Sequence, residues 1–496
     1  MRSSSRPRAI LTLPLEGGGP GWGWSSVTLM AAVLALSACS ITSKPHQLPN
    51  IASNMPAAWA EPALSDAAVT APDWWRSFGS EELSALIAAA LSANPDLVIA
   101  AERVIQAEAQ ARIAGASLFP QLGFGAGASR RETHPDGGAW SASDGSSATF
   151  SASYELDVWG RNAAGVRAAE STLRASRFDL ETVRLTLVTG VASGYFQVLS
   201  LRGRLAIARE NLVIAERVFA VVDSRVRNGA ASALDLARQQ AAVLSQRASI
   251  PPLELQERQT LFALALLLGR PPEGYTAGPA VAVSLTDVTV PRVAPGLPAN
   301  LLTRRPDLAS AEAQLAAANA NVAAARAALL PAIQLTGSAG LASNVLLNFL
   351  NAPTATLALG ASLVQTVFDG GRLSGQVNVA ASRERELIES YRKSILAALA
   401  DVESALASSS RTVDQELLQE QVVGEARRAL RLAEIRYREG ADDLLTVLDA
   451  QRTLFQAEDQ LAQIRLARLQ ASIGLFKALG GGWNVTDDPP RQPAPR

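Results

Sequence analysis

Side chains able to ligate soft metals or act as near-neutral acid–base groups are few: among 496 residues there are one cysteine, Cys39, and two histidines, His46 and His134. They cannot complete a zinc site, a disulfide framework or a thiol–imidazole pair unless other ligands do nearly all the work. His46 follows an apolar stretch that ends at Cys39, and His134 lies among Gly, Asp and Pro. No GxxxxGK[ST] phosphate loop is present. The chemistry left is acylation of the Cys39 thiol. The expectation is therefore no enzyme, no metal and no cofactor beyond a covalent lipid on Cys39. Basic and acidic residues number 45 and 46, and a formal charge of −1 provides no footprint for nucleic acid.

The element that would position this thiol is an apolar run, VTLMAAVLALSA at 27–38, too short to span a bilayer comfortably but suited to a signal-peptide core. The string Leu36-Ser37-Ala38-Cys39 resembles the lipoprotein signal motif. Residues 1–38 are expected to be removed, leaving a lipidated tail, 39–80, that carries diacylglycerol and palmitate. The alternative is cleavage near Ala38 with an incidental cysteine. Ser40 is not the aspartate associated with inner-membrane retention, which favours the outer membrane. No other uninterrupted apolar run reaches 18 residues.

Composition and internal repetition define the rest. Hydrophobic residues make up 48% and aromatics only 5%, so the apolar content is mostly small or helix-compatible and predicts long, closely packed helices. Asn94-Pro95-Asp96-Leu97 recurs as Arg305-Pro306-Asp307-Leu308, and 306 − 95 = 211. Leu118-Phe119-Pro120 recurs as Leu329-Leu330-Pro331, Gly160-Arg161 as Gly371-Arg372, Arg225 to Gly229 as Arg436 to Gly440, and Leu268-Gly269 as Leu479-Gly480, all at that offset. Five landmarks in one register define two copies of one unit, 81–270 and 294–481, with a connector at 271–293 and a Pro-rich tail at 482–496.

Within each unit, breakers and periodicity predict a helix, two strands and a long helical hairpin. Strands are expected at about 120–130 and 147–158, and at about 331–343 and 355–368. Leu122, Phe124, Ala126 and Ala128 alternate with Gln121, Gly123, Gly125 and Ser129, the last two strands differing only in that alternation falters at Val364-Gln365. Segments of about ten residues with one apolar face and one small or polar face fit tilted transmembrane barrel strands; a soluble two-sheet core would alternate as well. From Gly160 to Arg227 and from Gly371 to Arg438 the chain reads as unbroken helix, about 100 Å at 1.5 Å per residue. Gly229 and Gly440 end these rods, and return helices follow, the first expected to kink at Pro251-Pro252. Four strands cannot close a barrel, and open edges are not tolerated in lipid, so several chains must share one. The fold class is mainly α with a β-barrel, continued by a helical tube.

DWWRSFGSEELSALIAAALSANPDL (73–97), IPPLE (250–254), LLLGRPP (266–272) and RYREGADDLLTVLDAQRTLFQAEDQL (436–461) strongly resemble the lipid-anchored NodT branch of the TolC-like outer-membrane efflux proteins. The resemblance spans essentially the whole mature chain. It implies a homotrimer with a 12-stranded outer-membrane barrel and a 12-helix periplasmic tunnel. It also implies a periplasmic adaptor (membrane fusion protein) and an inner-membrane pump of the resistance-nodulation-division (RND) type. The expected function is a passive multidrug exit duct in the outer membrane, anchored among its lipids. An exit duct for type I protein secretion and a pore-free lipid-anchored coiled-coil scaffold are the alternatives.

The resemblance further implies a gate at the periplasmic tip. Leu445 and Asp449 fall on apolar and acidic constriction positions, four residues apart and so on one helix face. Asp235, equivalent to Thr446 in the repeat (235 + 211 = 446), would share an acidic ring, and Tyr437 matches a tyrosine that ties helices together. Ordinary hairpin packing is the competing role for Leu445 and Tyr437, and helix capping for Asp442 and Asp443. Asp449 sits inside the apolar run LLTVLDAQ, where a buried unpaired carboxylate would be costly, which points it toward a wet lumen.

Overall fold

The computed structural model describes residues 55–61, 71–273, 275, 285–344 and 353–483. These all belong to the unit Gln47–Arg496. The signal peptide at 1–38, Cys39, His46, most of the 39–80 tail, connector residues 274 and 276–284, and residues 484–496 lie outside the described residues.

In chain order the elements are α1 (Glu81–Ala93), α2 (Pro95–Ala116), β1 (Gln121–Thr133), β2 (Ser141–Leu156), α3 (Arg161–Arg227) and α4 (Ala233–Leu267), then α5 (Pro306–Ala327), β3 (Ala332–Ser343), β4 (Thr354–Val364), α6 (Arg372–Arg438) and α7 (Leu444–Ala478). The 211-residue offset holds for four pairs of elements: α2, β1, α3 and α4 begin at 95, 121, 161 and 233, and α5, β3, α6 and α7 at 306, 332, 372 and 444. Both long helices have 67 residues, about 100 Å each. Their first turns follow left-handed glycines, Gly160 and Gly371, and beside those glycines the carboxylates of Asp157 and Asp369 accept the early helix N–H groups. These backbone bonds hold Asp369 below the ordinary carboxylate range.

The termini of each repeat are welded by equivalent contacts made with different chemistry. Asn94 caps α2 through Oδ1, 3.1 Å from the Leu97 N–H, while its Nδ2 donates to the Leu267 carbonyl at 2.9 Å. Arg305 replaces it in the second repeat (94 + 211 = 305) and donates to the matching carbonyl of Ala478 at 3.2 Å, also pairing with Asp307 and Asp401. Its burial is thus compensated by two carboxylates. Just beyond, Gly269 and Gly480 adopt positive φ, +65° and +87°. A Cβ there would lie 2.2 Å from the Ala93 carbonyl oxygen and 1.9 Å from that of Arg304.

One aromatic and aliphatic core joins the two hairpins at mid-length. Phe78, Tyr195, Phe196, Ile395 and Phe476 are buried together, and Trp74 stacks on Phe476 at 4.7 Å. The Tyr195 hydroxyl, raised in pKa first by its burial, meets Ser80 Oγ at 3.0 Å and Glu82 at 3.2 Å. A short N-terminal strap lies on α6: the Ala60 N–H donates to Glu403 at 2.8 Å and the Trp59 indole to the Gly296 carbonyl at 2.7 Å.

The expected bounds of three strands need adjustment. β2 begins at Ser141 rather than near 147, and β1 runs to Thr133, because beyond Ala128 the strands stay paired after both faces have turned polar. β4 stops at Val364, not 368, where its alternation lapses. The helix α4 is continuous across Pro251-Pro252; the missing N–H groups do not terminate it.

Candidate functional site

The sheet has the order β1-β2-β3-β4, all antiparallel, with β1 and β4 as open edges. Register puts every large apolar side chain except Val364, at the end of β4, on one face. Leu122, Ala152, Gly337 and Leu359 form one cross-strand row, and Phe124, Phe150, Ala339 and Leu357 the next. The Phe124 and Phe150 rings are 4.9 Å apart. Leu122 and Leu359 are 82% and 84% exposed in the single chain, which water would penalise and hydrocarbon would not. From Ile333 to Leu341 the band runs about 26 Å along the strand, the scale of a transmembrane barrel belt.

The opposite face is narrow and wettable. Its rows are Gly123, Ser151, Ser338 and Ala358, then Gly125, Thr149, Gly340 and Thr356. Side chains this small keep the space they face open, and their hydroxyls satisfy water. At the base of this face Glu155 pairs with Arg161 at 2.6 Å, and the Trp159 indole donates to the Pro331 carbonyl at 2.7 Å, tying the two repeats where strands become helices. Among the described residues no single helix is long and apolar enough to cross a membrane.

At the far end, about 100 Å along α3 and α6, the two hairpin turns differ. In the first, Ser232 and Asp235 form a capping box: Ser232 Oγ accepts from the Asp235 N–H at 3.2 Å, and the carboxylate accepts from Ser232 N at 3.0 Å and from Oγ at 2.8 Å. These bonds hold Asp235 below its ordinary pKa. In the second, Asp443 caps α7 through Thr446, and Asp442 takes a bidentate pair from Arg436 at 2.6 and 3.1 Å. That pairing lowers Asp442, so it persists wherever carboxylates are ordinarily ionised and is lost only as pH falls through this depressed value.

Tyr437 is 7% exposed, inside a cluster with Val222, Leu430, Leu444 and Val447. The Arg225 guanidinium lies 4.7 Å from its ring centroid and donates to its backbone carbonyl, joining the two hairpins. Burial pushes the phenol up, Arg225 opposes this and the Asp235 charge adds to it, so Tyr437, Arg225 and Asp235 share one locus. Leu445 (49% exposed) and Asp449 lie one turn apart on the uncovered face of α7, with Asp449 facing Arg452 at 3.1 Å. Motif matching did not reveal Arg225. The available signal was a missing partner: its repeat equivalent Arg436 pairs with Asp442, and the position matching Asp442 is Ala231 (231 + 211 = 442), which has no carboxylate. Higher up, Arg204 and Asp459 also bridge the hairpins, at 2.6 Å.

A sheet apolar on one side and small-polar on the other, open at both edges and continued by helical rods, defines the subunit of a multichain outer-membrane channel. The family model "Outer membrane efflux protein" matches residues 86–270 and 297–481, one match per repeat, and the chain belongs to that family. The pyoverdine export outer membrane protein OpmQ of Pseudomonas aeruginosa is 44% identical over 469 residues, covering 92% of this chain and 97% of that one. The outer membrane protein OprJ of the same species is 32% identical over 475 residues, 94% and 97% of the two chains. The open state of the MtrE outer membrane channel of Neisseria gonorrhoeae superposes with a TM-score of 0.77 at 29% identity, covering 86% of this chain and 96% of that chain. The chain is therefore an outer-membrane efflux channel component and not an enzyme.

Proposed function

We propose that three copies close one barrel, 3 × 4 = 12 strands, anchored by a lipid on Cys39 and serving as the passive exit duct of a tripartite pump. Drugs and other toxic small molecules reach it from an RND-type inner-membrane pump through a periplasmic adaptor. The observation that carries this reading is the four-stranded sheet with one lipid-compatible face, one small-polar face and two unpaired edges. A second cargo reading, a metal-chelating siderophore, is favoured by the 44% identity to proteins named for pyoverdine export.

Purified protein in a planar bilayer should conduct, and deleting the gene should sensitise cells to dyes and antibiotics or abolish siderophore release. A pore-free scaffold would give no conductance. Duty in type I secretion would leave small-molecule susceptibility untouched and stop an exported protein instead.

Gate duty for Asp449 has its own readout. Three lumen-facing carboxylates favour cations. The Asp449→Ala channel is expected to lose cation preference and change its single-channel conductance, whereas unchanged selectivity would return Asp449 to a surface pair with Arg452.

A further inference from the structure

Among the described residues, the small-polar face of the sheet carries only two charged side chains, Glu155 and Arg131. Glu155, at the helical end, is neutralised by Arg161 at 2.6 Å. Arg131, at the opposite end, has no partner among the described residues. β1 and β2 pair one to one, without a bulge, from Gln121 and Ser153 to Thr133 and Ser141, so alternation puts Arg131, opposite Ser143, on the face of Gly123, Gly125 and Ser151. Side-chain positions agree. A Cβ on Gly123 would lie 3.0 Å from Ser151 Oγ, and one on Gly145 would lie 3.3 Å from the Oγ of Ser129, the residue on this face next before Arg131.

The other charges of this hairpin point elsewhere. Arg130, Glu132 and Asp144 share the opposite face, with Arg130 3.2 Å from Glu132 and 3.9 Å from Asp144. Asp136 lies in the connecting turn, where His134 stacks on Trp140 at 4.7 Å. β3 ends at Ser343, level with Ser146 and Ala128, so Arg131 stands about 10 Å further out, on the part of the β1–β2 hairpin that projects past β3. From Ser143 to Glu155 the chain runs about 40 Å at about 3.3 Å per residue. That is well beyond the Debye length of about 10 Å at 0.1 M salt, so the ion pair at the base leaves the Arg131 charge uncompensated.

We infer that Arg131 from each copy forms a ring of unpaired guanidiniums at the outer rim of the barrel lumen, which holds anionic small molecules as they leave. The ring presupposes the three-copy duct proposed above. The Gly, Ser, Thr and Ala rows beneath it offer no competing charge, and rings of Arg favour anions where side chains line a pore. A guanidinium takes carboxylate or phosphate oxygens two at a time. The cargo this fits is a small polyanion bearing carboxylates, the donor chemistry of a chelator that ligates hard cations through oxygen. A cationic dye gains nothing there.

The test is block of single channels in a planar bilayer by citrate, a carboxylate trianion, added to each chamber in turn. Citrate on the barrel side is expected to block severalfold more potently than citrate on the tip side, and to lose potency as salt rises. Arg131→Lys should keep most of the block, Arg131→Gln should raise the half-blocking citrate concentration severalfold, and Arg131→Glu should abolish it and let magnesium block instead. Citrate block that is unchanged in Arg131→Gln, indifferent to salt, or absent from the unaltered channel would overturn the inference. A protein that assembles but conducts nothing counts against the duct, and the ring is then read by phenylglyoxal labelling of the purified assembly. Protection of Arg131 by citrate, with exposed Arg112 on α2 left unprotected, supports the ring; no protection, or equal protection of both, rejects it.

Discussion

Gly480→Ala is expected to abolish accumulation of assembled channel. The substitution asks alanine to adopt φ +87° and puts its Cβ 1.9 Å from the Arg304 carbonyl oxygen. The backbone conformation alone costs about 1–2 kcal/mol. The overlap is with main chain at the start of the repeat, which cannot swing aside like a flexible side chain, so the total exceeds about 3 kcal/mol. That is a large part of an ordinary fold's margin, about 5–15 kcal/mol. Gly269→Ala should do the same in the first repeat, where the Cβ would stand 2.2 Å from the Ala93 oxygen. Heat-resistant oligomer on a gel and protease resistance measure the effect. Wild-type levels of either variant would mean that the return helix and the opening helix are not held in register by this contact.

Arg225→Ala is expected to loosen the tip. It removes a cation–π contact, about 0.5–2 kcal/mol, and a charge-assisted hydrogen bond to the Tyr437 carbonyl, about 1.5–3 kcal/mol before compensation by water. The loss recurs in every subunit of the ring. On the gate reading proposed above, single channels should open more often and cells should admit more of the large antibiotics. Arg436→Ala, which breaks an exposed pair, should have a smaller effect. Ala231→Asp is the more discriminating variant, since it gives Arg225 the partner that Arg436 has in Asp442 and draws it off Tyr437. Equal behaviour of Arg225→Ala and Arg436→Ala would remove the special role of the Arg225–Tyr437 contact.

Sequence exposed the framework because each landmark is a residue with one dominant physical use. Gly229 and Gly440 take left-handed turns, Pro95 and Pro306 start helices, and period-two alternation follows the lipid-facing band. Where a residue's use depends on a distant neighbour, the sequence was mute. Tyr437 reads as a gate tyrosine but its arginine lies 212 positions away, and the outer ends of β1 and β2 carry no alternation once both faces meet water. Arg305 could be paired with Asn94 by the offset, yet their shared reach to a helix-terminal carbonyl appears only in three dimensions.

The duplication also bears on symmetry. Six identical 211-residue units around an axis would form a sixfold ring with the same seam between every pair of hairpins. The barrel end comes near that condition, with β1 and β3 starting at matched positions. The tip does not: Arg225 crosses to the neighbouring hairpin, while Arg436 folds back on its own. A three-chain ring of the kind proposed would therefore carry two alternating kinds of seam at the tip, giving it threefold rather than sixfold symmetry.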